Sequence, residues 1–375
     1  MDSLHQVRKK IHMRRHAHSR TCIDDIGIDI LVSHILIRLP ARCVGRCRCV
    51  CKEWLSLLST QQFAITHCRH ISTTYNQKFI LIGSLWGYVY PVVFDHLSRS
   101  SKTVLSLPFE RSSCHVRILA SFEGLLCICL CNTGEMVIWN PLIQVYKMLA
   151  NSKTRGLCNP RLDAVGFYVD SSNEYMLLHL KRIGGKTWLY IYSLRRDLWR
   201  KVGFLNEQKY FKKKKLKWSN GTFFKGVVYF TVDFIKNHFH SGSMLLGFDV
   251  KLEKFNKIRY PNVPHDDLEG HLLLIRNNLH IFLTHGMPFW SVDLWRLDGD
   301  SWIKVWVFPP IRPILLGCTV TYVISTGKFL VVGDYGDVNE LDITLSGGDC
   351  YYPVLGCYSR LAGVIFTETL VSPNM

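Results

Sequence analysis

Apolar positions follow two different rhythms along the chain, and the change falls between residues 68 and 76. Leu31, Ile35 and Leu39 stand at i, i+4 and i+8, the spacing that stacks side chains on one face of a helix. Asp29 is the candidate N-cap, and Pro40, which has no backbone N–H to donate, ends the element. Two more short helices fit between Arg42 and Leu58. On a helical projection Val44, Cys47, Val50, Cys51, Trp54 and Leu58 share one arc, Cys43 sits at its margin and Cys49 lies opposite. Beyond residue 76 the pattern becomes short apolar runs of strand length, such as "KFILIG", "GLLCICL", "WLYIYSL", "GVVYFTV" and "KFLVVGD", punctuated by Gly, Asn, Asp and Pro. Cys127, Cys129 and Cys131 alternate, which predicts that they share one face of a strand.

A repeat underlies the strand region. An apolar-aromatic-polar triplet recurs at Phe94, Trp139, Tyr192, Phe248 and Trp295, with a weaker copy at Leu341. Successive spacings are 45, 53, 56, 47 and 46 residues, the period of propeller blades. In four of the six copies a second aromatic follows at plus seven: Tyr146, Trp199, Phe255 and Trp302. The turn-like stretches between them, "NPLIQ", "SLRRD", "DVKLE" and "RLDGD", read as hairpin connections. A binding site rarely needs the same residue in every repeat, so these aromatics are expected to pack structurally. The expected architecture is a small all-α N-terminal module followed by an all-β domain, a β-propeller of about six blades. The boundaries read as a basic tail over 1–22, the helical module over 23–68, the β domain over 76–366 and a C-terminal tail over 367–375.

Charge alters this picture little. The formal net charge is +17, but residues 1–20 carry +5 and residues 195–217 carry +8, leaving the rest nearly balanced. The second stretch centres on the lysine run at 212–215 and reads as an exposed loop; neither stretch carries a nucleic-acid-binding signature. The N-terminus lacks the apolar core of a secretory signal, and no apolar run has the length that crosses a bilayer. Fourteen cysteines in 375 residues do not resemble a small disulfide scaffold, so the expectation is a reduced, intracellular chain. Cys43, Cys47, Cys49 and Cys51 contain no Cys-x-x-Cys pair and do not converge on a helix, which argues for packing rather than a zinc site. "HDDLEGH", residues 265–271, is the nearest approach to a metal cluster and reads as a polar loop. With no Gly-x-Ser-x-Gly, Walker loop or His-Glu-x-x-His present, no catalytic residue, metal or cofactor is expected.

The helical module carries a specific pattern: Ile35-Leu36, Arg38-Leu39-Pro40, Arg42, Cys43, Val44, Arg46, Val50-Cys51-Lys52 and Trp54, with Phe63 beyond. Over some thirty-five residues this resembles the F-box, the module that docks on the Skp-family adaptor of cullin-based ubiquitin ligases. It departs from the family where Gly27-Ile28 replaces the usual Leu-Pro opening and His34 falls near a usually acidic position. "SFEGLLCICLCNTGEMVIWNP", "VGFYVDSSNEYMLL", "YIYSLRRDLW", "MLLGFDVKLEKF" and "LWRLDGDSWIKV" follow in the order of the F-box-associated interaction domain of plant F-box proteins, a kelch-like family. The resemblance implies an adaptor-binding surface made of Leu31, Ile35, Leu36, Leu39, Pro40, Val44, Val50, Cys51 and Trp54. It also implies a non-enzymatic substrate receptor, partnered by a Skp-family adaptor, through it a cullin, and by a target protein not identifiable from sequence. Membrane partners are not expected, and the implied localisation is cytoplasmic or nuclear. The alternative reading is a basic β-propeller-like protein that binds nucleic acid or another polyanion.

Overall fold

The computed structural model describes residues 27–71, 77–85, 88–94, 102–105, 107, 116–150, 158–159, 162–205, 215–236, 239–263, 269–285, 290–311, 319–323, 328–332, 338–342 and 359–374. The basic tail, most of the lysine run and residues 265–268 of "HDDLEGH" lie outside this set. Two compact units emerge, residues 1–39 and 40–375.

In the first unit the expected regular helix is broken into three pieces. One α-turn, α1 (Ile28–Ile30), passes into a π-helical turn over Leu31–Ile35 and a 3-10 turn over Leu36–Arg38. The N-cap is Gly27, without a side-chain bond, so Asp29 falls inside the first turn. The Leu36 N–H reaches back to the carbonyl of Leu31, five residues away, and the wider turn rotates the apolar face. Leu31, Leu36 and Ile37 are buried in consequence, while Ile35, expected on the Leu31 face, is exposed. Leu39 is extended (ψ 148°), the conformation that a following proline imposes.

The second unit opens with α2 (Ala41–Cys47), α3 (Lys52–Leu58) and α4 (Gln61–Ile71), beginning with Pro40 as the N-cap of α2. The strands that follow form six antiparallel sheets among the described residues. The first contains β1 (Gln77–Leu85), β2 (Tyr88–Phe94) and β3 (Lys102–Val104). The second contains β4 (Val116–Phe122), β5 (Leu125–Leu130), β6 (Glu135–Asn140) and β7 (Val145–Met148). The third contains β8 (Ala164–Val169), β9 (Tyr175–Ile183), β10 (Lys186–Ser193) and β11 (Leu198–Phe204). The fourth contains β12 (Lys215–Trp218), β13 (Thr222–Phe224), β14 (Val227–Lys236), β15 (Phe239–Asp249) and β16 (Lys254–Ile258). The fifth contains β17 (Glu269–Ile275), β18 (Asn278–His285), β19 (Trp290–Asp298) and β20 (Ser301–Ile311). The sixth contains β21 (Thr319–Val323), β22 (Lys328–Val332) and β23 (Val338–Asp342).

The last strand, β24 (Ser359–Thr367), leaves the sixth sheet and pairs antiparallel with β1 as the inner edge of the first. Contacts then run around a closed ring: β24 and β1 meet β4, β4 meets β8, β8 meets β13 and β14, β14 meets β17, β17 meets β21, and β21 meets β24. This is a propeller whose first and last strands share one sheet.

Local chemistry explains the hairpins. The connections Glu123-Gly124, Gly184-Gly185, Lys225-Gly226 and Arg276-Asn277 have positive φ at both residues, the two-residue turn that matches strand twist. Gly124 is also required by space, because a Cβ there would strike the Thr367 carbonyl. The core lies within and between sheets: Ile80, Ile118, Leu126, Ile128 and Phe366 form one cluster around Trp139. Cys127 and Cys129 are fully buried in β5, which is covered on both faces. Cys131 does not share their face as expected; it falls beyond the end of β5 and is exposed.

Candidate functional site

The nine residues expected to form an adaptor-facing surface divide between the two units. In the first, Leu31 and Leu36 are buried, Leu39 is half-buried and Ile35 is exposed; Ile30, not singled out by the periodicity, is exposed at 55%. In the second, Val44 is fully buried and supports α2 from beneath, while Pro40 and Cys51 are exposed and Trp54 is half-buried. Val50 is 64% exposed. Leu55 and Leu57 are exposed as well. A signal for them exists in "WLSLL", where four apolar residues in five positions exceed what one helix face buries.

The cysteines of this segment have separate roles. Cys51 is not the packed residue that the helical arc suggests: it is the N-cap of α3, its Sγ accepting the Trp54 N–H at 3.5 Å. Cys49 is exposed, and Cys43 and Cys47 are half-buried. Burial, then the neighbouring Cys43, raises the pKa of the Cys47 thiol, the opposite of an activated thiolate. Arg48 ties the helices together through Nε and Nη2 bonds to the Leu58 carbonyl at 3.1 and 2.6 Å.

The helices of the second unit are fastened to the propeller at defined points. Arg42 pairs with the buried Glu368 carboxylate at 2.7 Å. Arg69 pairs with Glu123 at 3.4 Å, and the Cys68 thiol donates to the Glu123 carbonyl at 3.6 Å. Ser372 donates its N–H to the Gln61 side chain at 3.4 Å. Residues 368–371, part of the stretch read from sequence as a C-terminal tail over 367–375, are buried. Asn140 holds them: its Nδ2 donates to the Thr369 and Val371 carbonyls at 2.9 and 2.8 Å, while its Oδ1 accepts the Leu142 N–H at 2.8 Å. The Trp-Asn-Pro stretch therefore caps its own hairpin and clasps the chain's C-terminal segment.

Each of the six repeat positions falls on the third strand of its own sheet, counted from the ring centre: Phe94, Trp139, Tyr192, Phe248, Trp295 and Leu341. Trp139, Tyr192 and Phe248 are fully buried; Trp295 is half-buried, and the side chain of Phe94 lies outside the described set. Trp139 faces Tyr146 across β6 and β7, Tyr192 faces Trp199 across β10 and β11, and Phe248 faces Phe255 across β15 and β16. The fourth plus-seven pair is out of register. The β19–β20 turn holds two residues where the others hold four, so Trp295 opposes Lys304 and Trp302 opposes Leu297. Lys304 lies 4.9 Å from the Trp295 ring centroid and bridges Asp293 at 2.7 Å. Trp302 still serves as an interblade tie, its indole N–H donating to the Arg259 carbonyl at 2.7 Å, as Trp199 donates to Ala150 at 2.9 Å.

No helix among the described residues is long and apolar enough to cross a membrane. Residues 28–66 match the F-box domain family, and residues 79–352 match the F-box associated beta propeller domain family. An F-box/kelch-repeat protein of Arabidopsis thaliana is 24% identical, covering 92% of this chain and 95% of its own length. A putative F-box protein and a putative F-box/kelch-repeat protein of the same organism are 25% and 22% identical, covering 78% and 74% of this chain and 74% and 70% of their own lengths. TolB from Acinetobacter baumannii superposes with a TM-score of 0.50 at 8% identity, covering 81% of this chain and 72% of its own, a likeness of fold alone.

Proposed function

The chain belongs to the F-box proteins that carry an F-box associated β-propeller domain, and on that premise we propose that it is a substrate receptor of a Skp-cullin-F-box ubiquitin ligase. The observation that carries this reading is the coupling, on one chain, of an F-box match over 28–66 with a propeller match over 79–352. The F-box binds the Skp-family adaptor, and through it a cullin. A six-bladed propeller holds a target protein so that a recruited E2 modifies its lysines. Rate enhancement then comes from raised local concentration and orientation, which needs no catalytic residue on this chain. Its place of action is the cytoplasm or nucleus, where the ligase works.

Adaptor docking uses the exposed Ile35 and the half-buried Leu39 of the first unit, and the exposed Pro40 and Val50 with the half-buried Trp54 of the second; the buried Leu31 and Leu36 support the former and the buried Val44 the latter. The test is co-purification of the full chain with a Skp-family adaptor. Leu39→Ala combined with Pro40→Ala should abolish capture while the thermal transition of the propeller stays in place. Capture equal to wild type would sink this assignment. A chain retained instead by a polyanion column, with no adaptor bound, would favour the basic-protein alternative.

A further inference from the structure

Between the second and third sheets, Cys158 and Asn159 lie beside Leu162 and Asp163. Backbone bonds fix them there: Leu162 and Asp163 donate to the Asn159 carbonyl at 2.9 and 2.8 Å, and Cys158 donates to Gly134 at 2.8 Å. This brings Cys158 and Asp163 against His179, which points from the neighbouring β9 with Nε2 3.1 Å from Asp163 Oδ2. The ligand atoms of Cys158, Asp163 and His179 all lie within 4.8 Å of one another, and all three residues are buried. Cys129, on β5, lines the same spot, its thiol 3.9 Å from the Cys158 carbonyl.

We propose that Cys158, Asp163 and His179, completed by Cys129, bind a zinc-class divalent cation that staples the second sheet to the third. The donor set is the argument for the metal. Calcium and magnesium take oxygen ligands, whereas a thiol, imidazole and carboxylate mixture suits zinc. Tetrahedral zinc places its ligand atoms about 3.3–3.8 Å apart, so the three-residue cluster needs only a small adjustment, and the Cys129 thiol, which lies outside that cluster, has to turn inward to complete it. Asp163 is already oriented for it from behind, because its carboxylate accepts the Asn159 N–H at 2.9 Å and the Arg182 N–H at 3.1 Å. Four protein donors make a closed, structural site. This inference does not depend on the ligase assignment.

The test uses the purified full chain, stripped with a chelator and titrated with cobalt(II) in place of zinc. The expected result is stoichiometric uptake with an intense thiolate-to-cobalt charge-transfer band and tetrahedral ligand-field bands, both displaced by zinc. Cys158→Ser should abolish the charge-transfer band or shrink it about twofold, and His179→Gln should weaken binding at least tenfold. Cys49→Ser, in the distant helical segment, should leave the spectrum unchanged. Absence of the charge-transfer band in the wild-type chain overturns the site irrespective of how any variant folds. So does a band lost on Cys49→Ser and kept on Cys158→Ser.

Discussion

Cys51 illustrates how a single residue's role follows from its hydrogen bond rather than its composition class. As an N-cap, its sulfur is a long-range acceptor for the Trp54 N–H, and a serine oxygen does the same work better. Cys51→Ser should therefore leave the thermal midpoint unchanged or raise it, whereas Cys51→Ala should lower it, with a loss of about 0.5–2 kcal/mol. Cys68 behaves differently. Burial, then the Glu123 charge, lifts its thiol from 9.0 to about 12. The folded chain thus keeps a proton that the unfolded chain releases near its ordinary pKa, so this stability is complete below about pH 9 and drains away as pH rises toward about 12. Melting curves across that alkaline window should show the decline, and Cys68→Ala should flatten it. Alkylation at neutral pH should mark Cys49 and spare Cys68. Asn140 is a costly polar position to lose: Asn140→Ala strands two buried carbonyls, at about 1–3 kcal/mol each, and denaturant titration should register the sum.

Between sheets, the indole ties of Trp199 and Trp302 give the clearest measurable increments. Trp199→Phe and Trp302→Phe should each cost about 1 kcal/mol, read from denaturation midpoints. The two sites share no partner, so the double variant should show nearly additive loss. These elements also show what the linear sequence displays and what it hides. The triplet at Trp139, Tyr192 and Phe248 indexed consecutive sheets because each aromatic ends the same strand of the same supersecondary unit, and burial selects it independently each time. Trp295 kept the spacing but lost the pairing, since a two-residue turn replaced a four-residue one and spacing alone does not count turn residues. The helical face of Leu31, Ile35 and Leu39 failed for a related reason: a π-helical turn is invisible to a 3.6-residue period. Cys158, Asp163 and His179 were missed because five and then sixteen residues separate them, a spacing no short motif uses; the backbone bonds ahead of β8 and the pairing of β8 with β9 bring them together.

The propeller is closed by its last strand, with Gln77 opposite Thr367, and the segment after that strand is clasped by Asn140 and by Arg42. Removing residues 359–375 should leave β1 without its inner neighbour and yield a chain that aggregates or melts without a cooperative transition. Loss of residues 372–375 alone should be tolerated far better. This joint has a meaning in time as well as in space. A ribosome emits β1 before and β24 after the strands of the five other sheets, so every other sheet is available before the ring is able to lock. Until β24 emerges, β1 presents an unpaired, apolar edge that other nascent chains are able to pair with. Any frameshift or premature stop near the C-terminus therefore acts on the whole propeller, and the cell meets it as an unfinished chain rather than a shortened protein.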